Sequence, residues 1–407
     1  MLRSRRMTTL VCSLLLLVGL STVRASADDS EQSELAALLQ DEGLSENGAQ
    51  ALVNALGGTQ SITTSDYDAC PDANPNKPAT YPNIAYKGFK RTPSSASIPI
   101  YLDEYDPSGS GPFSVMILVH GGGFWRGCKY ELQDVAWEGA GRDPGTVLYK
   151  NFVVLNIDYR LACDPFDPNL QSSPILPMCG WPYTRIDLGT GTIGAATHDV
   201  QDAVRWVSTE WSTLPGRPAW DGRVVLLGGS AGGTFAYSAV APSPNVGGAV
   251  TVNDLAAWSG ALRFDLMSNG HYPCEAGQSN DPTNCSQNEN TYLGCNPLVY
   301  PDPVCVSAGR YTDASPNAWY TNTSLPHAFF GNGGGGTEGP ELIALQSALD
   351  FEFTLQTQLL WQNHVQYLKC IVDKPVHGRA LRNNVCDDGV TGTVWYRTSK
   401  WLYGIPS

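Results

Sequence analysis

Residues 224–233 read VVLLGGSAGG, in which an apolar run leads into a cluster of small residues with one hydroxyl, Ser230, at its centre. Glycine and serine are common turn residues, so this stretch alone is compatible with a simple turn. It also matches G-x-S-x-G, a pattern that presents a nucleophilic serine when a strand precedes it and a helix follows it. The sequence supports that context, because 223–230 is typical of a buried strand and 231–240 of a helix. We therefore predict that Ser230 is a nucleophile.

A second glycine-rich turn, HGGGFWRG at 120–127, follows another apolar run that is predicted to be a buried strand. Acyl transfer needs backbone N–H groups directed at the position where oxyanion charge develops, and glycines let the backbone approach a substrate closely. Two such turns in one predicted sheet support each other. We predict that Gly122, Gly123 and Ala231 supply the backbone donors, and the register at the glycines is open by one residue.

The hydrophobic pattern along the chain predicts an α/β fold with a mostly parallel central sheet and helices on both faces. Apolar runs typical of strands alternate with segments of helical periodicity. The predicted strands are 98–105, 114–120, 152–160, 223–230, 249–258, 326–332 and 365–373, and the predicted helices are 196–211, 231–240, 340–364 and 394–403.

The composition of the 407-residue chain, 42% hydrophobic and 16% charged, is that of a globular protein with a sizeable core. Residues 1–27 have a basic start, an apolar stretch and an A-x-A ending, which predicts a cleaved signal peptide. We predict a short helical extension and linker over 28–80 and a catalytic domain over 81–407. Since no later stretch is long and apolar enough to predict a membrane span, we expect a secreted or periplasmic protein.

The formal net charge is −14, and it becomes −18 when the four arginines of the predicted signal peptide are removed. Such an acidic chain is a poor partner for nucleic acid and for anionic membrane surfaces. Ten of the eleven cysteines remain after cleavage, which predicts disulfides in an oxidising compartment. Their spacing matches no zinc motif, so we expect no metal site. Cys163 with Cys179 and Cys370 with Cys386 are candidate pairs, because they lie close along the chain.

Two long segments interrupt the alternation of strands and helices, and we predict both as insertions. They lie near 163–194 and 264–312, and they carry cysteines, prolines and polar residues. Both follow the carboxyl ends of predicted strands, where open α/β sheets bind their ligands. We expect these insertions to wall a pocket, and disulfide-pinned surface loops are the alternative.

Four blocks of sequence lie in order along the chain: HGGGFWRG (120–127), NIDYRLA (156–162), THDVQDAVRWV (197–207) and WDGRVVLLGGSAGG (220–233). Together they resemble the α/β-hydrolase fold, in the branch of carboxylesterases similar to hormone-sensitive lipase and feruloyl esterase. The resemblance covers about residues 85–405. It implies a serine ester hydrolase that needs no cofactor, with nucleophile, acid and histidine in that order along the chain.

That order excludes the two histidines that precede Ser230, His120 and His198, as the base. His120 is expected to orient the turn HGGGFWRG at 120–127, called the glycine turn below. His377 is the preferred base, because it follows the last predicted strand in a Pro/Gly-containing loop, where the resemblance implies the base. Three other histidines follow Ser230 along the chain. His271 is expected to be a polar surface residue, and His327 and His364 are the alternative bases.

The acid is expected after the strand predicted at 326–332, where the resemblance implies an Asp and this chain has none. Glu338 lies in that loop, and its carboxylate can orient an imidazole as Asp does. The alternatives are Glu341, Asp350 and Asp373.

These residues predict a reaction in which Ser230 attacks an ester carbonyl, His377 acts as the base and Glu338 orients it. Secretion favours short-to-medium acyl, aryl or polysaccharide-linked esters over intracellular lipids. Two other interpretations stay open, an amidase or peptidase on the same fold and a catalytically inactive binding relative. The sequence indicates no oligomeric state.

Overall fold

The structure is a computed structural model of the chain. It describes residues 70–90, 96–162, 194–240, 250–262, 264–265, 290, 292–295, 301–316, 327–333, 367–372 and 378–404. Outside these residues lie the predicted signal peptide and most of the helical extension and linker, most of both predicted insertions, the long helix over 340–364, and the predicted acid and base, Glu338 and His377.

Eight strands of the described residues form one sheet. They are β1 Tyr81–Phe89, β2 Ile98–Tyr105, β3 Phe113–Val119, β4 Val153–Ile157, β5 Trp220–Gly229, β6 Asp254–Trp258, β7 His327–Gly333 and β8 Tyr367–Val372. The six strands β3 to β8 run parallel to one another. β2 pairs antiparallel with both β1 and β4. The strand order in space is β1-β2-β4-β3-β5-β6-β7-β8.

The strand order contains the reversal at which open α/β sheets bind ligands. β3 lies between β4 and β5, and its last residue, Val119, pairs with Ile157 on one side and with Gly228 on the other. The turn at 120–127 leaves the carboxyl end of β3, and the turn at Ser230 leaves the carboxyl end of β5. This topology, a mostly parallel sheet with one antiparallel strand near its edge, is the α/β-hydrolase fold, as predicted.

Helices pack against the sheet. The α-helices among the described residues are α1 Gln133–Gly139, α2 Ala195–Glu210, α3 Ala231–Val240, α4 Pro303–Ser307, α5 Arg310–Ala314 and α6 Val394–Trp401. Of these, α2, α3 and α6 confirm the helices predicted over 196–211, 231–240 and 394–403. Short 3-10 helices lie at Lys129–Leu132, Trp211–Thr213 and Gly378–Asn383.

Buried side chains on both faces of the sheet form the core. Met116 of β3 belongs to a core cluster with residues of α1 and α6, including Trp395. Successive strand residues point to opposite faces, so Ile117 belongs to the other layer. α3 packs there, with Gly233 close against Ala257 of β6. Helices therefore lie on both faces, and β3, β4 and β6 are buried along nearly their whole length.

One strand, β1, and three short α-helices, α1, α4 and α5, are absent from the sequence prediction. β1 lies at the edge of the sheet, is mostly exposed or half-buried, and pairs with β2 through two register shifts. These irregularities break the alternation that predicts a strand. α1 has seven residues, which is too short for helical periodicity to stand out.

The described disulfides are Cys70–Cys128, Cys295–Cys305 and Cys370–Cys386. The third confirms a predicted pair, and the predicted Cys163–Cys179 pair lies outside the described residues. Within the described part of the chain, no helix has both the length and the apolar character that crossing a membrane requires.

Buried charges lie at the amino edge of the sheet, on β2. The Glu104 side chain is fully buried and accepts a hydrogen bond from Arg217 Nε at 2.9 Å. Burial and the neighbouring Asp106 carboxyl raise the pKa of Glu104, against the opposing effect of Arg217. Folding therefore shifts the protonation equilibrium of Glu104 towards the neutral carboxyl, relative to an exposed glutamate.

Candidate active site

Ser230 forms the turn between β5 and α3. Its φ is 54°, in the left-handed region that a residue with a Cβ adopts when the surrounding structure enforces it. Its N–H donates to the carbonyl of Trp258 at 2.7 Å, and its own carbonyl accepts from Gly233 N–H at 2.9 Å. The side chain is half-buried at the carboxyl edge of the sheet. This strained strand-to-helix turn has the geometry that the G-x-S-x-G pattern needs if its serine is to act as a nucleophile.

Two glycines of the G-x-S-x-G motif are required by close packing. A Cβ on Gly228 would collide with the Gly232 carbonyl, and a Cβ on Gly232 would collide with the carbonyls of Val119 and His120. The turn that carries Ser230 therefore lies directly against the end of β3, and the motif spacing reflects this contact.

The turn that follows β3 passes beside Ser230. A Cβ on Gly121 would lie 3.1 Å from Ser230 Cβ and 3.7 Å from Ser230 Oγ. Gly122 and Gly123 have φ values of 103° and 58°, which glycine adopts without strain. The Gly122 carbonyl accepts from Arg126 N–H at 3.0 Å. Because a trans peptide directs its carbonyl and its N–H to opposite sides, the Gly123 N–H faces away from that hydrogen bond.

Ala231 is the first residue of α3. The N–H groups of a first helical turn have no partner within the helix, and they carry the positive end of the helix dipole. The structure thus brings Ser230, Gly122, Gly123 and Ala231, all predicted as site residues, to one edge of the sheet.

The Tyr159 side chain, which follows β4, is hydrogen-bonded to the glycine turn. Its hydroxyl lies 2.9 Å from the carbonyl oxygen of His120 and 3.0 Å from that of Gly121, in a bifurcated hydrogen bond. Its ring stacks on the His120 imidazole, with centroids 4.1 Å apart. Since both carbonyls face Tyr159, the N–H groups of Gly121 and Gly122 face away from it.

His120 belongs to the turn as a neutral residue. It is 1% exposed, and burial lowers its pKa to about 3. Its Nδ1 lies 2.9 Å from the Gly121 carbonyl, which can only accept, so Nδ1 carries the hydrogen. His120 therefore orients the turn, as expected, and is too weakly basic to take a proton from Ser230.

A buried ion pair holds the chain next to Tyr159. The Arg160 guanidinium binds the Asp199 carboxylate of α2 with contacts of 2.6 and 2.8 Å, and both side chains are fully buried. Lys87 Nζ adds a contact of 2.9 Å to the same carboxylate. Although burial opposes its ionisation, Arg160 and Lys87 hold the pKa of Asp199 below its ordinary value. Two blocks of the resemblance, NIDYRLA and THDVQDAVRWV, are therefore joined by this pair.

Phe124 continues the glycine turn in a strained conformation. Its φ is 72°, and for a bulky residue that region costs about 1–3 kcal/mol. Its carbonyl accepts from Ala162 N–H at 2.9 Å. The ring lies in an aromatic cluster, defined here as Phe124, Tyr159, Phe235, Phe264 and Tyr292.

The predicted base and acid, His377 and Glu338, lie outside the described residues. Their strands are described: β7 and β8 pair up to Gly333 and Val372, so the chain leaves both strands at the edge that carries Ser230. The alternatives that also fall outside the described residues are His271, His364, Glu341, Asp350 and Asp373.

His327, an alternative base, lies at the wrong edge of the sheet. It is the first residue of β7 and pairs with Asp254, the first residue of β6. Both therefore lie at the amino edge, whereas Ser230 lies at the carboxyl edge. His198 lies on α2, within the helix that the sequence predicts over 196–211.

A role for Tyr159 is absent from the sequence prediction, although a signal was available. The residue follows a buried strand in the block DYR, at the edge where ligands bind. Polar groups at the ends of buried strands are unusual enough to suggest a function.

One group of side chains among the described residues has the spacing of a metal site, Cys295, Asp302 and Cys305. The two sulfurs are joined in a disulfide, so they are not thiolate ligands.

No protein-family model and no curated protein matches the sequence of this chain. Solved structures similar to it include esterase 2 of the Planctomycetes species Thermogutta terrifontis. Its propionate-bound form is 17% identical, with a TM-score of 0.45, and the match covers 81% of this chain and 94% of the esterase. The sarin-phosphonylated form is 17% identical, with a TM-score of 0.47 and coverage of 82% and 93%. A likeness of this size assigns neither activity nor substrate to this chain.

Proposed function

We propose that this protein is a secreted serine ester hydrolase. The observation that carries the proposal is the conformation of Ser230, which is held at a φ of 54° beside Gly121 at the topological reversal of the sheet. A turn that served only to connect β5 and α3 would have no need of a strained serine at this position.

In the proposed reaction, Ser230 Oγ attacks the ester carbonyl while His377 takes its proton. The tetrahedral intermediate collapses to an acyl-enzyme as His377 protonates the leaving alcohol. Water, activated by the same histidine, then attacks the acyl carbonyl, and the carboxylic acid leaves as Ser230 regains its proton. Glu338 orients the imidazole and stabilises its positive charge.

The oxyanion is bound by backbone N–H groups, which we assign to Gly122, Gly123 and Ala231. Three observations support this assignment: the positive φ values of the two glycines, the closeness of their turn to Ser230, and the place of Ala231 in the first turn of α3. Such donors are effective because they are fixed before the reaction begins and need no reorganisation.

The proposed substrates are short-to-medium acyl or aryl esters, including esters attached to polysaccharides. The predicted signal peptide and the disulfides support an extracellular or periplasmic setting. Esters bound to environmental polymers are available there, whereas intracellular lipids are not.

Hydrolysis of p-nitrophenyl esters from acetate to palmitate, and of a ferulate ester, tests the proposal. Ser230→Ala is expected to abolish hydrolysis, and Ser208→Ala, on the exposed face of α2, serves as the matched control. Activity in wild-type and control proteins alone supports the proposal. Folded wild-type protein that hydrolyses no ester contradicts it and favours an inactive binding relative. Hydrolysis of anilides faster than of esters favours an amidase.

Single substitutions test the remaining triad members. His377→Ala and Glu338→Ala are each expected to lower kcat, and the triad logic predicts a larger loss for the histidine. If Glu341→Ala lowers kcat more than Glu338→Ala does, Glu341 and not Glu338 is the acid of the triad.

A further inference from the structure

Tyr292 connects the second insertion to the glycine turn. Its ring stacks on Phe124, with centroids 4.6 Å apart and 16° between the planes, and meets Phe235 of α3 edge-on at 5.5 Å. Tyr292 and Phe124 are each 2% exposed. The contact is therefore closed to solvent, and it joins two parts of the chain that are far apart in sequence.

The segment that carries Tyr292 is anchored independently of the glycine turn. Cys295 is bonded to Cys305 in α4, and its N–H donates to the Asn290 carbonyl at 2.8 Å. The Tyr311 hydroxyl of α5 donates to Asn290 Oδ1 at 2.9 Å. These contacts hold the chain on either side of Tyr292, at Asn290 and Cys295, to α4 and α5.

Phe124 depends on such support, because its backbone occupies the left-handed region at a φ of 72°. Its carbonyl is held by Ala162, and its ring is held by Tyr292 and the other rings of the aromatic cluster. Release of the ring would let this residue return to an ordinary conformation. Gly122 and Gly123, which directly precede it and resist rotation least, would then lose their orientation.

We infer that Tyr292 is a positioning residue for the oxyanion-binding turn and acts through Phe124. The inference rests on the proposed ester hydrolysis. It means that the second insertion contributes, through Tyr292, to stabilisation of the transition state. The stack uses the face of the ring, which phenylalanine retains and leucine does not. Because preorganised donors act on the transition state, the effect falls on kcat rather than on KM.

The test compares Tyr292→Leu with Tyr292→Phe on p-nitrophenyl butyrate. We expect Tyr292→Leu to lower kcat about tenfold with little change in KM, and Tyr292→Phe to retain wild-type kcat. Phe152→Leu removes a fully buried ring from the core near Tyr403 and controls for a general loss of packing. Equal kcat in Tyr292→Leu and wild type, or an equal loss in Phe152→Leu, overturns the inference.

Hydrogen exchange of the amides at 121–127 provides a second readout that does not depend on activity. These amides are expected to exchange faster in Tyr292→Leu and at the wild-type rate in Tyr292→Phe. If the wild type hydrolyses no ester while exchange changes in this way, the proposed reaction fails and the positioning contact stands. Unchanged exchange in Tyr292→Leu contradicts the inference whether or not esters are hydrolysed.

Should Tyr292→Leu fail to fold, the double variant Cys295→Ser/Cys305→Ser replaces it. This variant keeps every ring and removes the covalent anchor of the segment. Lower kcat and faster exchange at 121–127 support the inference, and wild-type values of both contradict it.

Discussion

Removal of one hydroxyl, in Tyr159→Phe, is expected to slow catalysis without unfolding the protein. The ring and its stack on His120 remain, with centroids 4.1 Å apart in the wild type. What is lost is the bifurcated hydrogen bond to the carbonyls of His120 and Gly121. Those carbonyls fix the peptide planes of the glycine turn, and with them the direction of its N–H groups.

The size of the expected fall in kcat depends on which carbonyl loses its hydrogen-bond partner. The Gly121 carbonyl keeps the contact with His120 Nδ1 at 2.9 Å, whereas the His120 carbonyl loses the Tyr159 hydroxyl. A buried hydrogen-bond acceptor left without its partner costs about 1–3 kcal/mol. Only one carbonyl, that of His120, is left in this way, so we take a value in the lower part of the range, about 1.4 kcal/mol. If that cost appears in the transition state, kcat falls about tenfold. The loss stays below the roughly 100-fold to 1,000-fold that follows removal of an oxyanion donor itself.

The assay is steady-state hydrolysis of p-nitrophenyl butyrate, with kcat and KM determined separately. Tyr149→Phe, which removes a hydroxyl from an exposed ring outside the glycine turn, is the control and should match the wild type. A folded Tyr159→Phe with wild-type kcat, or with a change in KM alone, would refute this account of the turn.

Three further predictions concern stability. Gly232→Ala should lower the free energy of unfolding by about 3 kcal/mol or more, because its Cβ would overlap two backbone carbonyls. Gly145→Ala is the control, because a Cβ has room there, and it should leave the free energy of unfolding nearly unchanged. Thermal melts of both variants measure the difference. Because the pKa of Glu104 is raised in the fold, its contribution to stability is present at low pH and is lost as the pH rises from about 5 to about 8. Denaturant titrations across that range should show a steeper decline for wild type than for Glu104→Gln, by at most about 1.4 kcal/mol per pH unit, and parallel curves would contradict it. Replacement of Cys70 and Cys128 by serine opens a loop of 58 residues and should lower the free energy of unfolding by about 4 kcal/mol, and an unchanged denaturation midpoint would count against this.

The parts of the fold that could be predicted are those in which local sequence and tertiary packing agree. Residues 115–119 of β3 and 224–227 of β5 are continuous apolar runs because both faces of the sheet are covered by helices there. Ser230 could be found because steric contacts of the turn, at Gly228 and Gly232, allow no side chain and so leave a pattern in the sequence.

The remaining features depend on contacts between distant residues. β1 is half-exposed and irregular, so its place in the sheet depends on pairing with β2 and not on its own pattern. The stack of Tyr292 on Phe124 joins residues more than a hundred positions apart, and no local signal marks either ring as a partner of the other. The acid and the base, Glu338 and His377, stay predictions, supported by the edge at which β7 and β8 end.

The most direct test of the central claim is to identify the residue that a fluorophosphonate labels. Intact mass and peptide mapping of the protein are predicted to show one adduct, on Ser230, that forms in step with the loss of ester hydrolysis. Ser230→Ala should show neither adduct nor hydrolysis while it folds normally. A folded wild-type protein that forms no adduct, or a Ser230→Ala variant that still hydrolyses esters, would contradict the assignment of Ser230 as the nucleophile.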